Sequence, residues 1–138
     1  MQNNIAVLLP YKDQFIKDNA GSASIWVKDF SRESKLKKNT TIFGFTSNVS
    51  KTFDNFKYVN LKFSNFGVQS KNLKYVNKFI DVLEKKKFSL IEIHNRPSYI
   101  LHIEKYLPHQ KYILVIHNNP QTLRGAVTPK ERKHLIKL

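Results

Sequence analysis

The sequence predicts an α/β fold: a Rossmann-like, doubly wound and mainly parallel sheet with helices on both of its faces. Strand and helix patterns follow one another along the chain in the order β-α-β-β-α-β-α-β-α. Several of the strands are continuous apolar runs, which are typical of strands covered on both faces. Right-handed crossovers would then place the five strands in the order 3-2-1-4-5.

The first strand is the apolar run "IAVLL" at 5–9, which Pro10 ends, and a polar loop then leads to a helix. Either Ser22 or Asn19 is expected to cap this helix. Its spacing predicts one apolar face, opposite a face with Asp29, Arg32 and Glu33. The residues of the predicted apolar face are Ala23, Trp26, Val27 and Phe30.

The middle of the chain predicts two strands and a helix. The segments 40–45 and 57–63 are the strands, and the alternation in the second places it nearer an edge of the sheet. A helix is predicted at about 70–86 because apolar residues recur there at helical spacing. These apolar residues are Leu73, Val76, Ile80 and Leu83.

The last part of the chain predicts strands at 90–93 and 112–116 with a helix from Pro97 to Leu107 between them. A final helix begins after Thr128, which forms a capping-box pattern with Glu131. This helix reaches Leu138 without a C-cap, as would be expected of a fragment or a trimmed chain.

Composition limits the classes of protein that the chain can represent. Its 138 residues, 41% hydrophobic, suffice for a single domain with a packed core. With no cysteine, disulfides and thiolate zinc sites are excluded. No secretory signal or membrane-length apolar run is present, so a cytoplasmic location is expected, with peripheral contact at the inner membrane face as a further expectation.

The net charge of +14 comes mostly from lysines that are spread along the whole chain. Sequence-specific readers of DNA instead concentrate arginine on one element. The charge therefore favours a solvated surface, or weak attraction to phosphates and anionic lipids, over nucleic-acid binding.

Polar residues follow two of the predicted strands at the point where each strand ends. His94, Asn95 and Arg96 precede Pro97, and "HNN" at 117–119 precedes Pro120 in the same way. In doubly wound sheets, ligands bind outside the carboxyl ends of the strands, where the winding direction reverses. The sequence therefore predicts that these two segments and the loop 10–22 line one rim of the sheet.

The loop before the first helix is a candidate phosphate site. Asn19, Gly21 and Ser22 lie at the predicted helix start, where free backbone N–H groups and the helix dipole attract anions. A single glycine is a weak motif, and a helix start that needs this backbone geometry for its own sake explains the residues equally well.

The strand-end residues also have a structural interpretation. Either histidine alone would more often bond neighbouring backbone groups, but two of them on neighbouring strands favour a site. A metal site is disfavoured because Cys, Asp and Glu are absent from these segments, and strand alternation is expected to turn Glu92 away from the surroundings of His94. The guanidinium groups of Arg96 and Arg124 are suited to binding a phosphate or a carboxylate. The alternative is that both are exposed loop arginines that bind no ligand.

Taken together, the opening strand, "DNAGSASIWVKDF", "IEIHNRP" and "LVIHNNPQTLRGAVTPKER" resemble the N-terminal half of group 1 glycosyltransferases. These are family 4 enzymes of the GT-B fold, and the likeness is greatest to the bacterial type that builds lipopolysaccharide and other surface polysaccharides. The likeness is firmest at 91–133 and at 5–30.

The resemblance implies an acceptor-binding domain that faces a separate donor-binding domain, and residues 1–138 are expected to contain only the first of these. It implies hexosyl transfer from a nucleotide-sugar with retention of configuration and without a metal or other cofactor. Gly21, with Asn19 and Ser22, would lie near the donor diphosphate, although Ala20 replaces the second glycine of many relatives. His117 would be the catalytic-site histidine, which in the family commonly reaches the donor sugar through its backbone carbonyl. The acceptor side of the cleft would be lined by His94, Asn95, Arg96, Asn118 and Arg124.

Three functional hypotheses follow. The first is the acceptor-binding half of a retaining glycosyltransferase that acts on a glycan or lipid-linked acceptor, and residues 1–138 alone are then expected to be inactive. The second is a stand-alone Rossmann-like module that binds an anionic nucleotide or nucleic acid. The third, a receiver-like interaction domain, is weakened because the first strand lacks an acidic cluster.

Overall fold

The computed structural model describes residues 3–138, which form one five-stranded, all-parallel sheet with four α-helices. The strand order is β3-β2-β1-β4-β5, so the predicted Rossmann-like topology is confirmed. The strands are β1 (Ile5–Leu8), β2 (Thr40–Gly44), β3 (Lys57–Asn60), β4 (Leu90–His94) and β5 (Tyr112–Val115). The helices are α1 (Ser22–Glu33), α2 (Lys71–Lys85), α3 (Pro97–Tyr106) and α4 (Pro129–Ile136).

One face of the sheet is covered by α2 and α3. Tyr75 and Phe79 of α2 and Ile103 of α3 are fully buried there against Leu8 and Ile91 of the central strands. Burial of each such side chain is worth about 1.5–3 kcal/mol, so this layer holds the larger part of the core. The buried hydroxyl of Tyr75 also donates to the backbone oxygen of Leu9 at 2.7 Å, which ties α2 to the end of the first strand.

The opposite face is covered by α1 and the loop before it. Val7 and Leu9 pack there against Phe15, Ala23 and Val27. Glu92 and His94 of β4 lie on this same face, toward the carboxyl ends of the strands. Their position follows from the register of β1 with β4, in which Val7 pairs with Glu92 and Leu8 with Ile93.

The predicted apolar face of α1 is partly wrong. Ala23 and Val27 are buried as expected, but Trp26 is 37% exposed and Phe30 is 57% exposed. Ser24 and Ser31 are buried in their place. Small side chains let the helix approach the sheet closely, and the indole of Trp26 contacts the two strand-end histidines instead of an aliphatic core.

The helix ends follow the sequence with two exceptions. The last helix ends at Ile136 with Lys137 as its C-cap, so the prediction that it reaches Leu138 without a C-cap is wrong. The hydroxyl of Ser70 caps α2, and Thr128 and Glu131 form the predicted capping box of α4. In α1, however, the N-cap is Gly21, and no side chain caps from that position. The prediction that Ser22 or Asn19 caps α1 is therefore wrong.

The strand β3 ends at Asn60, earlier than predicted. The side-chain oxygen of Asn60 accepts from the backbone N–H of Thr46, and its amide group donates to the backbone oxygen of the same residue, both at 2.9 Å. The pair fixes the loop after β2 to the end of β3. Within residues 3–138, no helix combines the length and the apolarity that a bilayer crossing requires.

Candidate functional site

The reversal of winding lies between β1 and β4, and the carboxyl ends of β1, β4 and β5 lie side by side there. Trp26, in the second turn of α1, lies 5.3 Å from the His94 ring and 5.7 Å from the His117 ring, measured between centroids. The structure therefore brings together two of the segments predicted to share a rim, and it places α1 against both of them.

The two histidines are in direct contact. Nδ1 of His94 lies 2.9 Å from Nε2 of His117, and the rings are nearly parallel, with 15° between their planes. His94 is completely buried, whereas His117 is partly exposed at the rim. Only His117 of this pair is open to a ligand.

A carboxylate completes this chain of contacts. Oε1 of Glu92 lies 2.7 Å from Nε2 of His94. The prediction that strand alternation turns Glu92 away is wrong, because residues two apart on a strand lie on the same face. Glu92, His94 and His117 thus form a row in which each side chain is hydrogen-bonded to the next.

Asn95 fixes the backbone at the start of the segment after β4. It adopts a left-handed conformation (φ 52°), which asparagine tolerates better than most residues. Its Oδ1 accepts from the backbone N–H of His117 at 2.7 Å, and its own N–H donates to the oxygen of Val115 at 2.9 Å. The side chain of Asn95 is buried and positions the backbone of His117.

The first turn of α1 already holds an anion from the chain itself. The carboxylate of Asp13 accepts from the backbone N–H groups of Ala23 and Ser24, both at 3.0 Å. A Cβ built on Gly21 would lie 2.3 Å from this carboxylate, so the glycine is needed to let Asp13 approach. Asn19 and Ser22 are exposed beside it. The predicted phosphate contact of this loop would require an anion to lie next to Asp13 or to displace it.

The pKa of the His117 imidazole is lowered from its usual value, first by partial burial and second by the neighbouring His94. Asp13 opposes this shift, since its carboxylate raises the pKa of His117 to a smaller extent. A lowered pKa keeps the exposed imidazole neutral near pH 7. A neutral His117 can accept a hydrogen bond through one ring nitrogen.

The remaining predicted residues, Arg96, Asn118 and Arg124, do not all lie at the same surface. The Arg96 guanidinium donates to the backbone oxygen of Asn95 at 3.2 Å, and Asn118 is exposed next to His117. Arg124 instead lines a separate cavity of about 330 Å³, together with residues of α2, α3 and α4. Neither strand-end histidine lines that cavity, so Arg124 belongs to a different surface.

In residues 3–138, no three or more histidine or carboxylate side chains are placed to hold a metal ion. The row from Glu92 to His117 runs in one direction and does not surround a common point, because His94 uses its two ring nitrogens on two different partners. The arrangement is suited to hydrogen bonding and proton exchange.

Sequence reasoning missed three residues of this site: Asp13, Trp26 and Glu92. Glu92 had a usable signal, since its two-residue spacing from His94 on a strand places both on one face. Asp13 had no usable signal. Only the conformation of the loop brings its carboxylate to the backbone N–H of Ala23 in α1, ten residues later in the chain. Trp26 was assigned to the core because its spacing fits a buried helix face.

The resulting site has a partly exposed neutral imidazole on His117, linked through the buried His94 to the largely buried carboxylate of Glu92, with the indole ring of Trp26 on one side. Such a site can accept a hydrogen bond from a ligand while it offers the ligand an apolar surface. Comparison with protein-family models, with curated proteins and with solved structures finds no match to this chain.

Proposed function

We propose that this chain is the acceptor-binding half of a retaining glycosyltransferase of the GT-B type, which transfers a sugar from a nucleotide-sugar to a glycan or lipid-linked acceptor in the synthesis of bacterial surface polysaccharide. One observation carries the proposal: the contact between His94 and His117 at the carboxyl ends of neighbouring strands, beside the switch point. The sequence resemblance described above supports it independently at the same residues.

The exposed aromatic surface next to His117 suits a sugar ligand. Trp26 stacks on Phe30 with a centroid distance of 4.8 Å and 10° between the ring planes, and both rings are partly exposed. Indole and phenyl faces offer apolar contact area, and the imidazole beside them offers a hydrogen-bond acceptor. A sugar ring presents apolar C–H faces and hydroxyl donors, so it matches both components.

In this proposal the donor diphosphate approaches the loop of Asn19, Gly21 and Ser22 from a second domain. The carboxylate of Asp13 at the α1 terminus disfavours an anion there in this chain alone. The same carboxylate counts against the stand-alone nucleotide-binding module, which would need that terminus without help from another domain. We therefore expect residues 1–138 to bind the acceptor class of ligand and to transfer no sugar.

The diffuse lysine charge supports peripheral contact with an anionic membrane, where a lipid-linked acceptor would be found. Basic residues close to such a surface contribute about 1 kcal/mol each. The basic residues that give the net charge of +14 are spread along the whole chain and supply this attraction.

The proposal is tested by measuring binding of an array of bacterial surface oligosaccharides, with UDP-glucose and oligo(dT) as competing ligand classes. The resemblance assigns the backbone carbonyl of His117 to the donor sugar, and we propose that its imidazole, beside Trp26, also contacts the acceptor. We expect wild type to bind some of the oligosaccharides and His117→Ala to bind them about tenfold more weakly, the effect of losing about 1.4 kcal/mol. The matched control is His134→Ala, which removes an exposed histidine from α4 and should leave affinity unchanged.

Two results would contradict the proposal. Binding of UDP-glucose or oligo(dT) without any oligosaccharide would favour the stand-alone module. Oligosaccharide binding that falls equally in both variants would place the ligand away from His117.

A further inference from the structure

Glu92 is a carboxylate in the middle of a strand with apolar neighbours. In the sheet register it lies between Val7 of β1 and Ile113 of β5, and its side chain is only 14% exposed. A carboxylate in such a place needs a hydrogen-bond donor, and Nε2 of His94 lies 2.7 Å from its Oε1. This contact ties the proton position on His94 to the charge of Glu92.

The hydrogen positions along the row follow from this contact. An ionised carboxylate only accepts, so Nε2 of His94 must carry the hydrogen, and Nδ1 of a neutral His94 is then a lone pair. Nδ1 of His94 lies 2.9 Å from Nε2 of His117, so the hydrogen of His117 must be on that Nε2. Its Nδ1, for which the described residues provide no hydrogen-bond partner, is left as an acceptor at the rim.

We propose that Glu92 and His94 are positioning residues that hold His117 in the Nε2–H tautomer, so that its Nδ1 accepts a hydrogen bond from a neutral ligand hydroxyl and disfavours an anion. The proposal goes beyond the proposed function by assigning the ligand chemistry of this one atom. It rests on that function only where the hydroxyl is identified as one of an acceptor sugar.

The charges around the row agree with this assignment. The groups that face it are the carboxylates of Glu92 and of Asp13, the latter across the α1 terminus. Both are negative when ionised, and neither supplies a donor to an anionic ligand at His117. The lowered pKa of His117 keeps its Nδ1 unprotonated near neutral pH.

Proton uptake would reverse the specificity. A proton from water enters at Nδ1 of His117, the Nε2 hydrogen of His117 passes to Nδ1 of His94, and the positive charge then lies beside Glu92. In that state His117 has a hydrogen on Nδ1 and donates to an anion. The relay therefore couples the ligand preference of Nδ1 of His117 to the largely buried carboxylate of Glu92, two side chains away.

The test is nitrogen NMR of the chain labelled with ¹⁵N in its histidines, which distinguishes the protonated from the unprotonated ring nitrogen. At pH 8 we expect His94 and His117 both to carry their hydrogen on Nε2. In Glu92→Gln the carboxamide can donate as well as accept, so His117 should become a mixture of tautomers. The matched control, Glu84→Gln at an exposed position of α2, should give the wild-type spectrum.

The proposal would be overturned by a wild-type His117 with its hydrogen on Nδ1 at pH 8, or by a Glu92→Gln spectrum identical to that of wild type. The wild-type spectrum decides the tautomer by itself if Glu92→Gln does not fold. Because the readout involves no sugar, failure here would leave the glycosyltransferase proposal standing, and loss of oligosaccharide binding would leave the tautomer assignment standing.

Discussion

Gly125→Ala is expected to lower the free energy of unfolding by about 2–4 kcal/mol, because two separate costs meet at this residue. Gly125 has φ 93°, a conformation that side chains rarely adopt. A Cβ there would also lie 2.6 Å from the backbone nitrogen of Ser98 and 2.9 Å from its Cα. Ser98 belongs to the first turn of α3 and donates to the backbone oxygen of Arg124 at 3.2 Å, so neither segment can move without breaking that contact.

The two costs can be separated with Gly67→Ala. Gly67 has φ 95°, but nothing lies within 4 Å of the position of its Cβ, so only the backbone strain applies. Urea unfolding should show a loss of about 1 kcal/mol for Gly67→Ala and a clearly larger loss for Gly125→Ala. Equal losses of unfolding free energy in the two variants would mean that a methyl group at Gly125 does not collide with the backbone of Ser98 in α3.

Asp13→Ala should lower the free energy of unfolding by about 1–2 kcal/mol, since it removes both acceptors from the first turn of α1. Gly21→Ala should cost a similar amount, for its new methyl group displaces the same carboxylate. With the carboxylate gone, the methyl group has space, so the double variant should be little worse than either single one. A double-mutant cycle measures this coupling, which we expect to be about 1–2 kcal/mol.

The control for this cycle is Asp18→Ala, an exposed carboxylate paired with Lys51 at 2.6 Å. Exposed pairs of this kind contribute little, so Asp18→Ala and Gly21→Ala should be additive. Full additivity of Asp13→Ala and Gly21→Ala would instead show that Asp13 does not occupy the α1 terminus, and the phosphate interpretation of that loop would regain its support.

The fold could be predicted because its signals are local. Apolar runs such as that at 5–9, the helical stripe of α2 and the capping box at Thr128 each act within a few residues, and chain chirality then fixes the strand order. The meeting of the two strand ends followed from that order alone. His94 and His117 are 23 residues apart in sequence, and the parallel pairing of β4 with β5 brings them into contact.

The contacts that distinguish the site could not be predicted in the same way. Which face of α1 packs against the sheet depends on how closely the small residues of α1 let the helix approach the strands. For this reason Trp26 lies at the rim and not in the core, where its spacing predicted it. The path of the irregular loop before α1 decides that the carboxylate of Asp13 accepts from the first turn of the helix. No local feature of the sequence excludes Asn19 or Ser22 from that role. Arg124 lies in a turn closed by the bond from the Ala126 N–H to the Leu123 oxygen, and Gly125 of the same turn packs closely against Ser98 of α3, a contact between distant segments that no local pattern indicates.

We infer that the ligand of this domain binds at the carboxyl edge of the sheet, at His117. The most direct measurement is a map of backbone, indole and imidazole NMR shifts as core oligosaccharide released from lipopolysaccharide is added. We expect the largest changes on His117, Asn118 and the indole of Trp26. Changes concentrated around Arg124 in the α2–α3 cavity, or at the loop before β5 around His109, would contradict this inference.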